Sequence, residues 1–284
     1  MDFKYYDLTP VEVHNGMLLK RDDLYDPFGD FGITGGKVRQ CLFLVESNLD
    51  SIMADHGATI ATAASVHSPQ ACIVARVAKE FGLKCIIGHG AKDPLKHPAM
   101  RMCADLGAEL VCLTEHNAYN NVLYARLADL NKNRRFFTIN FGYQAATNPD
   151  AILEMNANQV RNIPPILDAL VINVGSGVSA AGILAGVARY NPYLLITGRV
   201  HLIQPFGYDR RDVASQALDF GKANFIYHKG NYPYHKPLQI AVDGVRLDDI
   251  YEAKAFDFMM KVIKPVELGK VCYWIIGNSN VLRS

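Results

Sequence analysis

Absences narrow the field first. Lysine and arginine number 29 against 28 acidic residues, so neither sign of charge predominates. Such a balance lacks the electrostatic footprint of a nucleic-acid or anionic-membrane binder. No apolar run reaches membrane-spanning length, and the stretch from Met1 to Asp7 has no signal-peptide core, so no membrane partner is expected. The six cysteines (Cys41, Cys72, Cys85, Cys103, Cys112 and Cys272) show no CxxC spacing and sit mostly in apolar runs. There cysteine behaves as a small buried hydrophobe, which argues against a disulfide framework and for a reducing, cytoplasmic setting. The nine histidines are dispersed without HExxH or comparable spacing, so no metal is expected.

What is present is strand and helix in alternation. Residues 58–63 read as a buried strand, and 70–81 as a helix with Ile73, Val74, Val77 and Phe81 at helical spacing and Gly82 as its stop. Strands at 84–88, 109–113 and 136–140 alternate with helices at 98–106 and 119–131. A second run follows, with helix 151–161, strand 169–174, helix 180–190 and strand 200–205. Beyond Phe206 the pattern weakens, and the Tyr, His, Gly and Pro residues of 227–237 read as a loop or lid. A helix over 247–262 and a strand over 271–276 close the pattern. The class is therefore α/β, with two lobes, each a mostly parallel sheet covered by helices.

Three segments carry chemistry. In Thr34-Gly35-Gly36-Lys37-Val38-Arg39-Gln40, a Gly-Gly turn opens onto a helix with Lys37 in its first turn. The positive end of the helix dipole disfavours an ammonium there, as does partial desolvation, and Schiff-base chemistry needs such an amine. A solvated surface lysine is the plain alternative. In the second segment, Gly175, Ser176, Gly177, Val178 and Ser179 link a strand to a helix rich in small residues. Backbone N–H groups at such a start can cradle a phosphate, with both serines adding donors. A dinucleotide-binding turn looks much the same but expects a carboxylate about twenty residues on. Leu194 to Val200 contains none, and no lysine completes a P-loop. The third segment is Ser65 to Gln70, where Ser68 reads as a helix N-cap. The same helix start can hold a substrate carboxylate, and His67 is given no role.

Together these segments resemble the fold-type II enzymes that use pyridoxal 5'-phosphate (PLP), in the branch of 1-aminocyclopropane-1-carboxylate deaminase and D-cysteine desulfhydrase. The opening of that branch is similar to Leu19-Lys20-Arg21-Asp22-Asp23-Leu24 followed by Thr34 to Gln40, and its Schiff-base lysine falls on Lys37. Its substrate loop falls on Ser65 to Gln70 with Ser68 serving the substrate, and its phosphate loop falls on Gly175 to Gly182. A further match, Asp249 to Ala255, makes Tyr251 an active-site tyrosine and sets Glu252 against the pyridine nitrogen. Three departures stand out. Pro69 replaces the branch's asparagine; the stretch from Tyr234 to Asp249 is short, which leaves Tyr232 and Tyr234 as candidates for the second active-site tyrosine; and Ile275 to Asn280 keeps a strand–glycine ending that is cut short.

The resemblance implies a tryptophan-synthase-β-like architecture. Residues 1–45 and 150–284 would form a large PLP-binding domain, and 46–149 a small α/β domain. It implies catalysis by Lys37, Tyr251 and Ser68, and cofactor contacts from Lys37, Gly175 to Ser179 and Glu252. Ser65, Ser68, Gln70 and Tyr234 would bind substrate. The expected protein is a cytoplasmic homodimer, a deaminase or lyase of a small amino acid. A lyase or decarboxylase of a larger amino-acid conjugate, such as a modified nucleoside, is the alternative that Pro69 and the short cap suit. A non-catalytic binding module on the same fold is the alternative from another class.

Overall fold

The computed structural model describes residues 3–29, 32–116, 118–143, 149–216, 224–264 and 269–280. In chain order, β1 (Val11–His14) and β2 (Met17–Arg21) precede α1 (Gly36–Glu46) and α2 (Leu49–Asp55). Then come β3 (Thr59–Ala63), α3 (Pro69–Glu80), β4 (Lys84–Gly90), α4 (Pro98–Asp105), β5 (Glu109–Thr114), α5 (Asn120–Arg134) and β6 (Phe137–Thr138). The later part holds α6 (Pro149–Asn158), β7 (Ala169–Asn173), α7 (Val178–Tyr190), α8 (Pro192–Ile196), β8 (Val200–Gln204), α9 (Arg211–Ser215) and β9 (Phe225–Lys229). It closes with β10 (Ala241–Val242), β11 (Val245–Arg246), α10 (Glu252–Phe258) and β12 (Val271–Ile275).

The chain divides into two compact units. The first comprises residues 1–27, 34–36 and 148–278, and the second 28–33, 37–147 and 279–284. The first unit is built on a six-stranded sheet in the order β1-β2-β12-β7-β8-β9, with β1–β2 antiparallel and the other pairs parallel. Its central strand β12 is buried on both faces. Val271, Tyr273 and Ile275 join Leu19, Val171 and Ala253 in one core, while Cys272 and Trp274 join Leu170, Leu202 and Leu184 in the other. A strand covered on both faces reads as an unbroken apolar run, which is why Val271-Cys272-Tyr273-Trp274-Ile275 is legible as a strand. The second unit holds a parallel sheet in the order β5-β4-β3-β6, with Ala61, Ile86, Leu123, Leu127 and Phe136 in its core.

The expected strands and helices from 58 to 205 are found with shifts of a few residues, and two differences matter. Residues 227–229, expected in a loop, belong to the edge strand β9; its mixed burial hides the alternation that marks a strand. The helix expected from Leu247 starts at Glu252, because the Asp248 carboxylate accepts from the N–H groups of Ile250 and Tyr251 and holds a turn there. The division between the units passes through the start of α1, with Gly36 in the first and Lys37 to Glu46 in the second. Val38, Cys41, Leu42 and Val45 are buried, and burial and then the nearby Cys85 of β4 push the Cys41 thiol up.

Candidate active site

At the carboxyl end of β7 the first unit forms the expected glycine-rich turn. Gly177 has φ +94°, and a Cβ on it would lie 2.9 Å from Val213 of α9, so only glycine fits. The 13-residue α7 starts at once, with no acidic residue in its first turn and no side-chain cap from Gly177. Its first N–H groups have no intrahelical acceptors and carry the positive end of the dipole. Ser176 and Ser179 are buried beside them. Helix α7 is aimed by its fit on α6, where a Cβ on Gly182 would come within 2.7 Å of Leu153 O and one on Gly186 within 2.4 Å of Ala157 O.

Next to this turn lies Glu252, 2% exposed. Its carboxyl accepts from Ile276 N–H at 3.0 Å and from the Tyr273 hydroxyl at 3.1 Å. Burial first, then the charge of Asp248, push it up to about 8, with the Ile276 N–H, Asn173 and Tyr273 opposing. Asn173 ends β7, and its Oδ1 is buried with no donor among the described residues. The Ile276 carbonyl in turn accepts from Gly36 N–H at 2.9 Å. Gly35, at φ +107°, is pressed against the same place, since a Cβ there would lie 2.7 Å from Ile276 O. Glu252 is thus tied through the two main-chain polar groups of one residue, Ile276, to the residue directly before Lys37. Lys37 itself is half-buried, the second residue of α1.

The first unit also pairs two tyrosines. The hydroxyls of Tyr234 and Tyr251 are 3.2 Å apart, and the Phe206 ring packs 5.0 Å from one ring and 5.3 Å from the other. Of the two candidates for a second tyrosine, Tyr234 is the one brought to Tyr251. Tyr232 instead donates to Asp257 at 2.6 Å.

In the second unit Ser68 is the N-cap of α3, its hydroxyl accepting from Gln70 N–H at 3.3 Å. Ser65 accepts from His67 N–H at 3.3 Å, and the His67 ring meets that of His97 edge-on. Pro69 occupies the first helical position and brings no N–H. The Gln70 side chain is wholly engaged within the protein. Its amide lies 2.9–3.1 Å from Thr62 Oγ1, the Tyr124 hydroxyl and Asn140 O, and its carbonyl accepts from Gly142 N–H at 3.0 Å. Burial pushes that tyrosine hydroxyl up to about 12.

These residues fit PLP. An uncapped helix start with two buried serines suits a phosphate, and the donor-less Asn173 oxygen beside the Glu252 carboxyl suits a ring N–H. A half-buried lysine follows the peptide bonded to Ile276. Residues that sequence patterns did not single out for the site are Asn173, Phe206, Asp248 and Lys254. Of these, Lys254 lies within the matched stretch from Asp249 to Ala255, three residues after Tyr251.

The family model described as "Pyridoxal-phosphate dependent enzyme" matches residues 7–268. Among curated proteins, the chain is 27% identical over 221 residues to the O-seryl-dTMP PLP-dependent decarboxylase of Salmonella phage ViI, a match covering 68% of this chain and 51% of that protein. The chain therefore spans about half the length of that relative. Among solved structures it is similar to an ACC deaminase homologue (TM-score 0.72, 21% identity, 95% of this chain and 89% of that one). It is also similar to the processed form of threonine deaminase isoform 2 from Solanum lycopersicum (TM-score 0.67, 13% identity, 97% and 86%). At these identities the likeness to the solved structures is one of fold.

Proposed function

We propose, from the premise that this chain belongs to the family of pyridoxal-phosphate dependent enzymes, that it decarboxylates an amino acid carried on a nucleotide. The observation that carries this reading is the sequence match to a decarboxylase of O-seryl-dTMP, and the first turn of α3 supports it. There Pro69 has no N–H, the Gln70 N–H is taken by Ser68 and the Gln70 amide is spent internally. A substrate carboxylate placed there meets few donors. One that leaves as carbon dioxide gains from a poor shell, whereas one that stays gains from a rich one.

Bound PLP supplies an electron sink for the pair left at the substrate's α-carbon. Lys37 Nζ would carry the cofactor, and Gly175 to Ser179 its phosphate. Glu252, which holds a proton at pH 7 without cofactor, would share it with the ring nitrogen; Asn173 Oδ1 stands by as an acceptor. Ser65 and Ser68 would orient the substrate carboxylate. Carbon dioxide departs and one proton is taken up at the α-carbon; Lys37 or the Tyr234–Tyr251 pair delivers it. The chain runs from Phe206, which touches both tyrosines, through exposed Tyr208 and Arg211 to Val213 over Gly177. That segment would receive the nucleotide, with a ring to stack on its base and a guanidinium for its phosphate.

The test is product analysis of PLP-loaded protein supplied with O-seryl-dTMP, free serine, D-cysteine or 1-aminocyclopropane-1-carboxylate. Carbon dioxide from the conjugate alone supports the reading. Ammonia and a keto acid from a free amino acid would sink it in favour of a deaminase or β-eliminating lyase. That second reading draws on the tyrosine pair and on Glu252, which can hold the ring nitrogen protonated for deamination as well.

A further inference from the structure

Lys254 stands on α10, three residues after Tyr251, and is 1% exposed. Its ammonium donates to Pro233 O at 2.8 Å and to Tyr234 O at 3.0 Å. It also lies 5.1 Å over the ring of Phe206, the ring that packs against both tyrosines. Burying a charge is costly, and two carbonyls and a ring face only offset the cost. What the ammonium does is local. Tyr234 reaches Tyr251 from a turn between β9 and β10, and Lys254 grips the main-chain oxygen of Tyr234 and of the residue before it. Elsewhere this stretch is fastened at its ends, by Tyr232 N–H to Pro205 O and Leu238 N–H to Asp249 O.

We propose that Lys254 is a positioning residue, tying the Pro233–Tyr234 backbone to α10 and so holding the hydroxyl of Tyr234 against that of Tyr251. The proposal rests on the reading that this pair serves the reaction. A loss of register there moves an acid/base group away from the substrate, which lowers turnover more than binding.

The experiment compares PLP-loaded wild type, Lys254→Met, Lys254→Arg, Tyr234→Phe and the Lys254→Met/Tyr234→Phe double variant. Turnover uses whichever probe substrate above reacts, and amide hydrogen exchange is followed in the same proteins. Lys254→Met should lower kcat about tenfold or more, with KM and PLP affinity within about twofold of wild type. Exchange should rise across residues 232–238 and stay unchanged in β7 and β12. Lys254→Arg, which keeps the donors, should recover most of kcat, and the double variant should be no slower than Tyr234→Phe. Unchanged exchange at 232–238, or a normal kcat in Lys254→Met beside a slow Tyr234→Phe, would overturn the proposal while sparing the tyrosine pair. A normal kcat in Tyr234→Phe would remove the pair from the reaction and the functional half of the proposal with it. If Lys254→Met does not fold, Lys254→Gln, which retains one donor group, takes its place with the same expected pattern.

Discussion

At the scale of single residues, Glu252 is a carboxyl whose proton burial retains. Unfolded, its carboxyl titrates near 4.5; folded, burial holds it at about 8. Between those values the unfolded chain binds fewer protons than the folded one, so stability falls as pH rises through the window. In cofactor-free protein, Glu252→Gln should therefore lose less Tm between about pH 4.5 and 8 than wild type, as read by thermal melts across that range. Lys37→Ala should abolish the visible absorbance of bound PLP and leave no lysine for borohydride to trap on the peptide that contains residue 37. Survival of both signals would sink the assignment of Lys37. Arg211 is exposed and stacked on Tyr227, and an incoming phosphate would compete there with Asp209, 3.9 Å away. Arg211→Ala should raise KM for O-seryl-dTMP about tenfold while leaving PLP affinity unchanged, checked by steady-state kinetics. Local residues such as Ser68 were legible, since a serine before proline and a helical repeat needs no distant partner. Gln70 and Lys254 were not. Their roles depend on Asn140, Gly142 and Pro233, residues that only the fold brings near.

Among elements, α7 shows how packing reverses a propensity. Exchanging glycine for alanine inside a helix ordinarily gains about 1 kcal/mol. At Gly186 the new Cβ would meet Ala157 O at 2.4 Å and Ala157 Cα at 2.7 Å, and backbone atoms of α6 cannot step aside cheaply. Gly186→Ala should instead cost about 1–3 kcal/mol, measured by urea denaturation, and weaken PLP binding by tilting the start of α7. The strand–turn–helix of β7 and α7 was legible because an apolar run, a glycine turn and small residues all point one way. Strand β9 was not, since an edge strand exposes part of both faces and its Tyr, His and Lys residues obey no simple period. The start of α10 was hidden differently. Leu247 and Ile250 keep a helical spacing, yet the Asp248 side chain competes for the backbone and delays the helix.

For the molecule as a whole, the first unit is assembled from distant pieces of chain. Residues 1–27 supply β1 and β2, and Lys20 is buried there, donating to Thr9 O at 2.6 Å and Asn162 Oδ1 at 2.8 Å with the Trp274 ring 5.7 Å away. Trp274 is the protein's one tryptophan and is fully buried. Deleting residues 1–27 should shift its fluorescence maximum to that of the urea-unfolded chain; an unshifted maximum would mean the unit closes without its first hairpin. The α/β class and the two sheets were readable from alternation alone. The placement of β12 has a further consequence, in time rather than in space. It lies between β2 and β7, so a ribosome that has made everything up to residue 270 has still left those two strands without their shared neighbour. The first unit must finish folding after nearly all of it has been synthesised, while residues 37–147 can settle much earlier. During that interval the helix of Lys37 can form while the turn at Gly175 to Ser179 still waits for its sheet to be completed.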